Sequence, residues 1–370
     1  MPLVPALFLT VGVVAGGDLA STPVAAIDAA VAPDHPRCFT DELWRHRNAG
    51  VHVPTGGGCP LHGDCDLAAV RDAYTPAPDD PLTVVRLHIH IVREDDGSNP
   101  AATEQDVIDQ IATFNTDMAP WRIGFVSTWS YIDDSTYRNI GFDFNVMNAL
   151  KSTYAIAPGE ACNIYVTGFP GGIGTFPWDP NALGPLGGVI MGAQYFGAGQ
   201  RLIHHEVGHN LGLWHTHHGV SEVQPCSACW ESPVGFFNDA VGDYCADTPP
   251  TPVNNDCFPP GGEDACSGQP WGETDFTNIM GYGGPGCWDA YTVQQASRMN
   301  CWIDAELSSW VVTDALVGDL DGDGAVGPAD LAILLAAWGT CLPVPDCDAD
   351  LDGSGGVDAG DLAILLANWG

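Results

Sequence analysis

The stretch HHEVGHNLGLWH at residues 204–215 constrains the fold of this chain more than any other segment. If its first half is helical, His205 and His209 lie four residues apart on one face, so both imidazoles can bind one metal ion. Gly212 can then end the helix in a backbone conformation that glycine adopts readily. The turn that follows lets His215 supply a third ligand. The spacing therefore predicts an active-site helix that carries a metal site.

The residue types of this motif point to a catalytic rather than a structural metal. Three neutral imidazoles bind zinc and leave a fourth position open for water. Zinc lowers the pKa of such a water to roughly 7, and Glu206 can take its proton as the water attacks a carbonyl. The alternative is an amphipathic helix with surface histidines. Surface exposure is also the expectation for His204, His217 and His218, which lie outside the spacing.

The segments around the motif alternate between strand and helix patterns. The run LTVVRLHIHIV at 82–92 has apolar residues at alternate positions and predicts a strand with His88 and His90 on its other face. Two incidental histidines on a half-buried strand are favoured there over a metal site. Helical spacing after Thr103 and the apolar runs ACNIYVTGF and GGVIM complete the pattern. The predicted fold class is therefore α/β (α+β).

The loop after the motif carries further candidates. Cys226 and Cys229 have CxxC spacing, but no second pair at zinc-ribbon spacing follows, so disulfides are favoured. Asp243 and Asp247 can bind calcium or cap local turns, and capping is favoured. Thr292 has the spacing of a capping box and predicts a helix that begins there.

The end of the chain is a tandem repeat, in which DLAILLAAWG at 330–339 returns as DLAILLANWG at 361–370. Each copy begins with an acidic loop that matches positions 1, 3, 5, 7 and 12 of an EF-hand-like calcium loop. These positions hold Asp319, Asp321, Asp323, Ala325 and Asp330, and then Asp350, Asp352, Ser354, Gly356 and Asp361. Apolar stripes follow the loops at Leu331, Leu334, Leu335 and Trp338, and at Leu362, Leu365, Leu366 and Trp369. They predict a small all-α domain whose two helices bury these stripes against each other once calcium is bound.

Charge and cysteine content indicate an exported protein. The formal net charge of −36 disfavours nucleic acid and anionic membranes as partners. The apolar opening is too short to span a membrane and predicts a signal peptide within residues 1–30. Thirteen cysteines fit disulfides in an oxidising compartment. We therefore expect a secreted or cell-surface protein with a pro-segment-like region at 31–81, a catalytic domain at 82–312 and the repeats at 313–370.

Several motifs resemble one family. HEVGHNLGLWH and the later NIMGY at 278–282 resemble the metzincin metallopeptidases, in which a methionine turn lies under the metal. LTVVRLHIHIV, CNIYV, GDYCADTPP and GCWDAYTVQQASRM are similar, in the same order, to the pappalysin-type branch over roughly residues 82–302. The resemblance implies a metzincin-like zincin domain with a twisted mixed sheet. It also implies one catalytic zinc ion bound by His205, His209 and His215.

The resemblance also implies roles for single residues. Met280 forms the hydrophobic floor beneath the histidines and is not a ligand. Tyr282 contacts the metal and stabilises the oxyanion of the reaction, unless it is only a packed turn residue. GGVIM at 187–191 is the edge strand that pairs with an extended substrate.

The function implied is that of a secreted zinc endopeptidase that hydrolyses protein or peptide substrates with Glu206 as the base. One alternative is a non-catalytic zinc- and calcium-binding adhesion or scaffold-docking protein. The other alternative is a zinc amidase that acts on cell-wall peptides.

The N-terminal region resembles the pro-segment of pappalysin-type zymogens at Cys38, although Phe39 stands where the family has glycine. The thiolate of Cys38 can fill the open position on zinc and displace the catalytic water, which makes it a candidate latency switch. A disulfide with Cys59 or Cys65 is the alternative.

The repeats resemble a type I dockerin, which has two calcium loops, each followed by one helix. This resemblance implies two calcium ions and a cohesin-like partner. Loop positions 10 and 11 hold Pro328-Ala329 and Ala359-Gly360, where dockerins often carry hydroxyl residues. Calcium binding is therefore expected in the repeats, further calcium in the catalytic domain is an open alternative, and a cohesin-like module stays a candidate partner.

Overall fold

The structure, a computed structural model, describes residues 37–48, 59–235, 238–284, 286–312, 318–321, 326–340, 348–351, 354 and 356–369. The helices are α1 (Thr40–Arg47), α2 (Ala68–Arg71), α3 (Glu104–Met118), α4 (Ser135–Arg138), α5 (Phe144–Tyr154), α6 (Leu202–Asn210), α7 (Val293–Ala305), α8 (Pro328–Ala336) and α9 (Ala359–Ala367). The strands are β1 (Arg37–Cys38), β2 (Thr83–Arg93), β3 (Ile123–Asp133), β4 (Cys162–Thr167), β5 (Gly171–Ile173), β6 (Val189–Gly192), β7 (Gly339–Thr340) and β8 (Gly356–Val357). The predicted signal peptide at 1–30 lies outside the described residues.

Six strands form one mixed sheet in the order β1-β5-β6-β4-β2-β3. β2 pairs in parallel with β3 along its whole length and with β4 on its other side. β4 pairs in parallel with β6, whereas β5 runs antiparallel to β6. The predicted mixed α/β fold is confirmed.

The prediction that GGVIM is the edge strand is wrong. This run forms β6, which lies between β4 and β5 and is buried along its whole length. The short glycine-rich β5 covers its outer side, and β1 pairs with β5 in parallel.

The alternation of residues along β2 gives the sheet two different faces. Val85, Leu87, Ile89 and Ile91 point into the main core, where they meet apolar residues of α3, α6 and α7. His88 and His90 lie on the other face and are held by hydrogen bonds, among them 2.8 Å between His88 Nδ1 and Thr128 Oγ1 and 2.7 Å between His90 Nε2 and Asn163 Oδ1. The interpretation of these two histidines as part of an ordinary strand therefore agrees with the structure.

Two helices begin with capping boxes, of which the one at Thr292 was predicted from the sequence. Thr103 caps α3 together with Asp106, and Thr292 caps α7 together with Gln295. Asp247 adds to the start of α7, because its carboxylate accepts hydrogen bonds from Thr292 Oγ1 at 2.7 Å and from the Gln294 amide at 2.9 Å. The capping role favoured for Asp247 is therefore the one that the structure gives it.

Disulfides tie the segment after α1 to later parts of the chain. The pairs are Cys59–Cys229, Cys65–Cys301, Cys226–Cys266 and Cys257–Cys287. A fully buried ion pair joins Asp66 Oδ1 to Arg298 Nη2 at 2.6 Å in the same region. Cys226 and Cys229 thus form disulfides as predicted, but with different partners.

The C-terminal repeats place α8 and α9 around a small core of Val326, Leu334, Ala349, Val357 and Leu365. The all-α prediction misses the antiparallel pair β7–β8. The predicted burial of the whole stripes is wrong, because Leu335, Trp338, Leu366 and Trp369 are 43–52% exposed. Leu334 and Leu365 are fully buried in this core, and Leu331 and Leu362 pack against it partly buried. None of the described helices is long and apolar enough to cross a membrane.

Candidate metal centre

Helix α6 presents two histidines to one point. His205 and His209 are both buried, and their rings lie 4.9 Å apart between centroids. Gly208, on the same helix, lies against Met280 so closely that a Cβ at this position would be 2.7 Å from the methionine sulfur. The face of α6 that carries the histidines is therefore fixed by tight packing below it.

The chain reverses directly after α6 because of Gly212. Its φ of +96° is in the left-handed region, and a Cβ at this position would meet the ring of Trp302 at 2.1 Å. The turn brings His215 back so that its Nε2 lies 3.2 Å from the Nε2 of His209. The role predicted for Gly212 is confirmed by this geometry.

The three histidines are oriented by hydrogen bonds at Nδ1. Each Nδ1 has an acceptor: the Ile279 carbonyl at 2.6 Å from His205, the Leu213 carbonyl at 2.8 Å from His209, and the Glu222 carboxylate at 2.6 Å from His215. An Nδ1–H donor leaves the lone pair on Nε2, which is the form that binds a metal. Burial lowers the pKa of all three imidazoles and so favours this neutral form.

These atoms fit a zinc-type ion. One ligand atom from each of Cys38, His205, His209 and His215 lies within 4.8 Å of the other three. The Nε2 of His205 is buried without any hydrogen-bond partner, a costly arrangement unless a cation binds there. Three imidazoles and a sulfur are the ligand types that zinc prefers.

Glu206 lies beside this cluster in a tight cradle. A Cβ at Gly172 of β5 would lie 2.2 Å from the carboxylate, so only glycine leaves room for it. Glu206 Oε2 accepts a hydrogen bond of 3.1 Å from Thr40 Oγ1, whereas Oε1 is buried without a partner. Burial raises the pKa of this carboxyl group to about 8.

The methionine turn lies where the resemblance implies. Met280 is fully buried in the main core under α6, and the Ile279 carbonyl orients His205. Tyr282 packs edge-on against His215, with 4.7 Å between ring centroids, and its hydroxyl donates to the Cys38 carbonyl at 3.2 Å. The structure therefore brings Tyr282 to the rim of the metal cluster, with its hydroxyl on the N-terminal segment.

Cys38 reaches the cluster from the N-terminal segment. Its Sγ lies 3.3 Å from His209 Nε2 and 3.5 Å from Glu206 Oε2. The alternative of a disulfide with Cys59 or Cys65 is not realised, since both are paired elsewhere and Cys38 is a free buried thiol. Without metal, burial raises the pKa of this thiol well above its usual value.

The expected surface exposure of three further histidines is wrong. His204 is fully buried and lies 3.3 Å from a carboxylate oxygen of Asp117. His217 is also buried, and His218 stacks on Trp214 with 3.9 Å between ring centroids. None of these contacts can be recognised from the spacing of histidines along the chain.

Sequence reasoning also missed Glu222, on which these histidines converge. Its carboxylate lies 2.6 Å from His215, 3.3 Å from His217 and 2.8 Å from His218. The contact with His215 fixes the ring of this histidine, as a carboxylate behind a zinc histidine commonly does. Glu222 is a positioning residue, and the i, i+4 spacing from His218 was its only sequence signal.

Two further buried acidic residues, Asp243 and Glu231, differ from each other in their hydrogen bonding. Asp243 accepts hydrogen bonds from the Cys245 amide at 3.0 Å and from Thr248 Oγ1 at 2.6 Å, which is the capping geometry favoured for it. Glu231 is fully buried, and neither of its carboxylate oxygens has a hydrogen-bond partner. Burial, followed by the charge of Asp243, raises the pKa of Glu231 well above its usual value.

The predicted calcium loops are described in part. Carboxylate oxygens of Asp319, Asp321 and Asp330 lie within 4.8 Å of one another. Asp330 also accepts hydrogen bonds from the Leu320 and Gly327 amides at 2.6 and 2.7 Å. In the second loop Asp350 accepts a bond of 3.0 Å from the Ser354 amide, and Asp361 Oδ2 one of 2.7 Å from the Asp358 amide. Asp323, Ala325 and Asp352 lie outside the described residues.

No family model matches the chain. Over 143 residues, or 38% of its length, it is 39% identical to mouse pappalysin-1 and 38% identical to human pappalysin-1. This match covers 9% of each pappalysin, so the chain spans less than a tenth of these relatives. It is also 29% identical over 233 residues to an extracellular metalloprotease of Colletotrichum graminicola, which covers 58% of this chain and 74% of the fungal protein.

Among solved structures, promirolysin of Tannerella forsythia matches 65% of this chain and 87% of its own, with 20% identity and a TM-score of 0.47. The relatives matched in sequence are named as pappalysins and as extracellular metalloproteases.

Proposed function

We propose that this chain is a secreted zinc-dependent endopeptidase. The observation that carries the proposal is the convergence of His205, His209 and His215, each with Nδ1 bound by an acceptor and Nε2 turned towards the others. The adjacent carboxylate of Glu206 has an oxygen without a partner in the same buried space. This set is that of a hydrolytic metal site rather than a structural one.

In this reaction the side chains of the protein bind and orient the substrate and transfer protons. When bound, a zinc ion would polarise the scissile carbonyl as a Lewis acid and acidify a water molecule. Glu206 takes the proton of the attacking water and returns it to the leaving amine. Tyr282 can donate to the developing oxyanion once its hydroxyl leaves the Cys38 carbonyl, a contribution of about 3–4 kcal/mol to transition-state stabilisation.

The substrate would bind along β5. This strand is outermost once β1 is removed, and its backbone groups then offer hydrogen bonds to an extended peptide. Gly172 and Gly174 of the same wall lie directly against Glu206 and His209, so a peptide there passes over the catalytic centre. An extended peptide substrate follows from this arrangement.

We further propose that residues 37–48 hold the unprocessed chain latent. Cys38 fills the fourth corner of the metal cluster, and Thr40 donates to Glu206. By contrast, residues 59–81 are tied to the body through Cys59–Cys229 and Cys65–Cys301. The inhibitory part therefore ends before Cys59, and the disulfide-bonded remainder of the region at 31–81 belongs to the active enzyme.

Calcium is proposed for the two repeat loops, which would stabilise the folded chain. At a free calcium concentration of about 100 times Kd, binding contributes about 2.7 kcal/mol. We expect calcium to raise the Tm of one unfolding transition by several degrees over EDTA, measured by differential scanning calorimetry. The increment should shrink in Asp330→Asn, whereas magnesium should not reproduce it. Equal Tm values in calcium and EDTA would contradict this proposal.

In the catalytic domain, the unpartnered oxygens of Glu231 beside Asp243 are where a further calcium ion would bind.

A docking role for the repeats is also proposed. Leu335 in α8 and Trp338 just after it occupy positions equivalent to Leu366 in α9 and Trp369 just after it, and all four are about half exposed. Such paired apolar groups support a protein partner, for which a cohesin-like module is the candidate implied by the resemblance.

The experiment that tests the enzymatic function compares hydrolysis of proteins with hydrolysis of peptidoglycan, and activity with and without a zinc chelator. The full chain is folded intact, cut at a protease site introduced between Asn48 and Cys59, and incubated with mixed proteins and with peptidoglycan. We expect internal peptide bonds of the proteins to be cleaved, and 1,10-phenanthroline to abolish cleavage until zinc is restored. Release of cell-wall peptides alone would favour the amidase, and no hydrolysis of either material would favour a binding protein.

A further inference from the structure

Beyond the metal centre, the N-terminal segment makes a second set of contacts along one wall of the catalytic body. Thr40 Oγ1 accepts a hydrogen bond of 2.7 Å from the Gly174 amide. Trp44 then packs edge-on against Phe176 and Trp178, with 6.0 and 6.3 Å between ring centroids. Arg47 ends the row on Asp179. The order of these contacts shows that α1 follows residues 174–179 in the same direction.

At the end of this row, two hydrogen-bond acceptors bind the guanidinium group of Arg47. Arg47 Nη1 donates to Asp179 Oδ2 at 2.9 Å, and Nη2 donates to the Leu186 carbonyl at 2.8 Å. Both side chains are nearly buried, with exposed fractions of 12% for Arg47 and 4% for Asp179. A planar fork satisfies both acceptors at once, which a lysine ammonium does less well.

Asp179 is held in place by its own loop rather than by Arg47. Its Oδ1 accepts bonds of 2.8 Å from the backbone amide and from the side-chain amide of Asn181. Oδ2 is thus the oxygen to which Arg47 donates. Removal of α1 leaves this oxygen, already oriented by the loop, open to another guanidinium group.

Lys151 lies beside this pair but does not replace the guanidinium. Its ammonium donates to the Gly188 carbonyl at 3.1 Å and, more weakly, to the Leu186 carbonyl at 3.5 Å. Burial, followed by the charge of Arg47, lowers the pKa of Lys151 to about 7. Lys151 is thus bonded to backbone carbonyls, whereas Arg47 of α1 is the cation that pairs with Asp179.

We infer that Asp179 and the Leu186 carbonyl form a substrate subsite for an arginine side chain, which Arg47 occupies in the unprocessed chain. The contacts of α1 place this subsite several residues along the wall from the metal cluster. The preferred substrates are therefore peptides with an arginine several residues from the cleaved bond. This inference rests on the proposed peptidase function and names its substrate class.

The test uses the full chain, folded intact and then cut between Asn48 and Cys59. A peptide series carries one arginine moved through the positions on both sides of the scissile bond, and a matched series carries citrulline, which keeps the shape and removes the charge. A charge-assisted hydrogen bond corresponds to about a 10- to 100-fold preference. We expect kcat/KM to favour arginine over citrulline by this factor at one position.

The same ratio is measured in Asp179→Asn and, as a matched control, in Asp79→Asn, which changes an exposed carboxylate. The arginine-to-citrulline ratio should fall towards one in the first variant and persist in the second. Equal cleavage of both series by the unaltered chain, or an unchanged ratio in Asp179→Asn, would overturn the subsite while leaving the peptidase intact. Hydrolysis of no peptide at all would overturn the peptidase assignment and the subsite with it.

Discussion

Replacing Glu206 by Gln is expected to reduce kcat/KM for peptide hydrolysis by about 100- to 10,000-fold, the range that a general acid–base contributes. The amide keeps the size of the carboxylate in the cradle at Gly172 but cannot accept the proton of the attacking water. Since Glu206 is not among the clustered metal-ligand atoms, zinc content should not change. Hydrolysis is measured on the cut chain with a fluorogenic peptide, and zinc by mass spectrometry.

Glu160→Gln is the matched control for this substitution, because it makes the same chemical change at an exposed glutamate outside the metal cluster. Its activity should equal that of the unaltered chain. A Glu206→Gln variant that hydrolyses peptides at the unaltered rate would exclude the proposed base. Loss of zinc together with activity would instead assign Glu206 a structural role at the metal site.

Replacing Cys38 by Ala is expected to raise the peptidase activity of the unprocessed chain on the order of tenfold or more, because activity follows the fraction of molecules with an open metal position. The thiol is 3.3 Å from His209 Nε2 and is a good zinc ligand once ionised. Activity should stay below that of the cut chain, since the pairing of β1 with β5 and the bond from Thr40 to Glu206 remain.

Cys245→Ala provides the comparison for the Cys38 variant, as Cys245 is another free buried thiol and lies outside the metal cluster. It should leave the unprocessed chain as inactive as before. If Cys38→Ala were no more active than its parent, latency through the thiol would be excluded. The arrangement of β1 on β5 would then be a structural feature only.

Local sequence information was sufficient for the helix of the metal centre. The spacing of His205, His209 and His215, with a glycine between the last two, determines which side chains can meet. The φ of +96° at Gly212 is what that spacing requires. Capping boxes at Thr103 and Thr292 are equally local, and the structure has both.

Features that depend on distant parts of the chain could not be predicted in this way. His204 is buried with Asp117 of α3 against it. Glu222 contacts His215, His217 and His218 through a turn that no sequence periodicity predicts. The resemblance assigned the edge position to GGVIM, and the three-residue, glycine-rich β5 carries almost no strand pattern that would have corrected it. The apolar stripe of the first repeat predicted burial for Trp338, but this residue lies beyond the end of α8 and is about half exposed.

The most direct test of the account is the zinc content of the purified full chain. Inductively coupled plasma mass spectrometry should find about one zinc ion per chain, held by the three imidazoles that converge in the structure. In His209→Ala the zinc content should fall to background while the four disulfides of the described residues still form. A chain that is folded and carries no transition metal, or a His209→Ala variant that retains its zinc, would contradict the central claim.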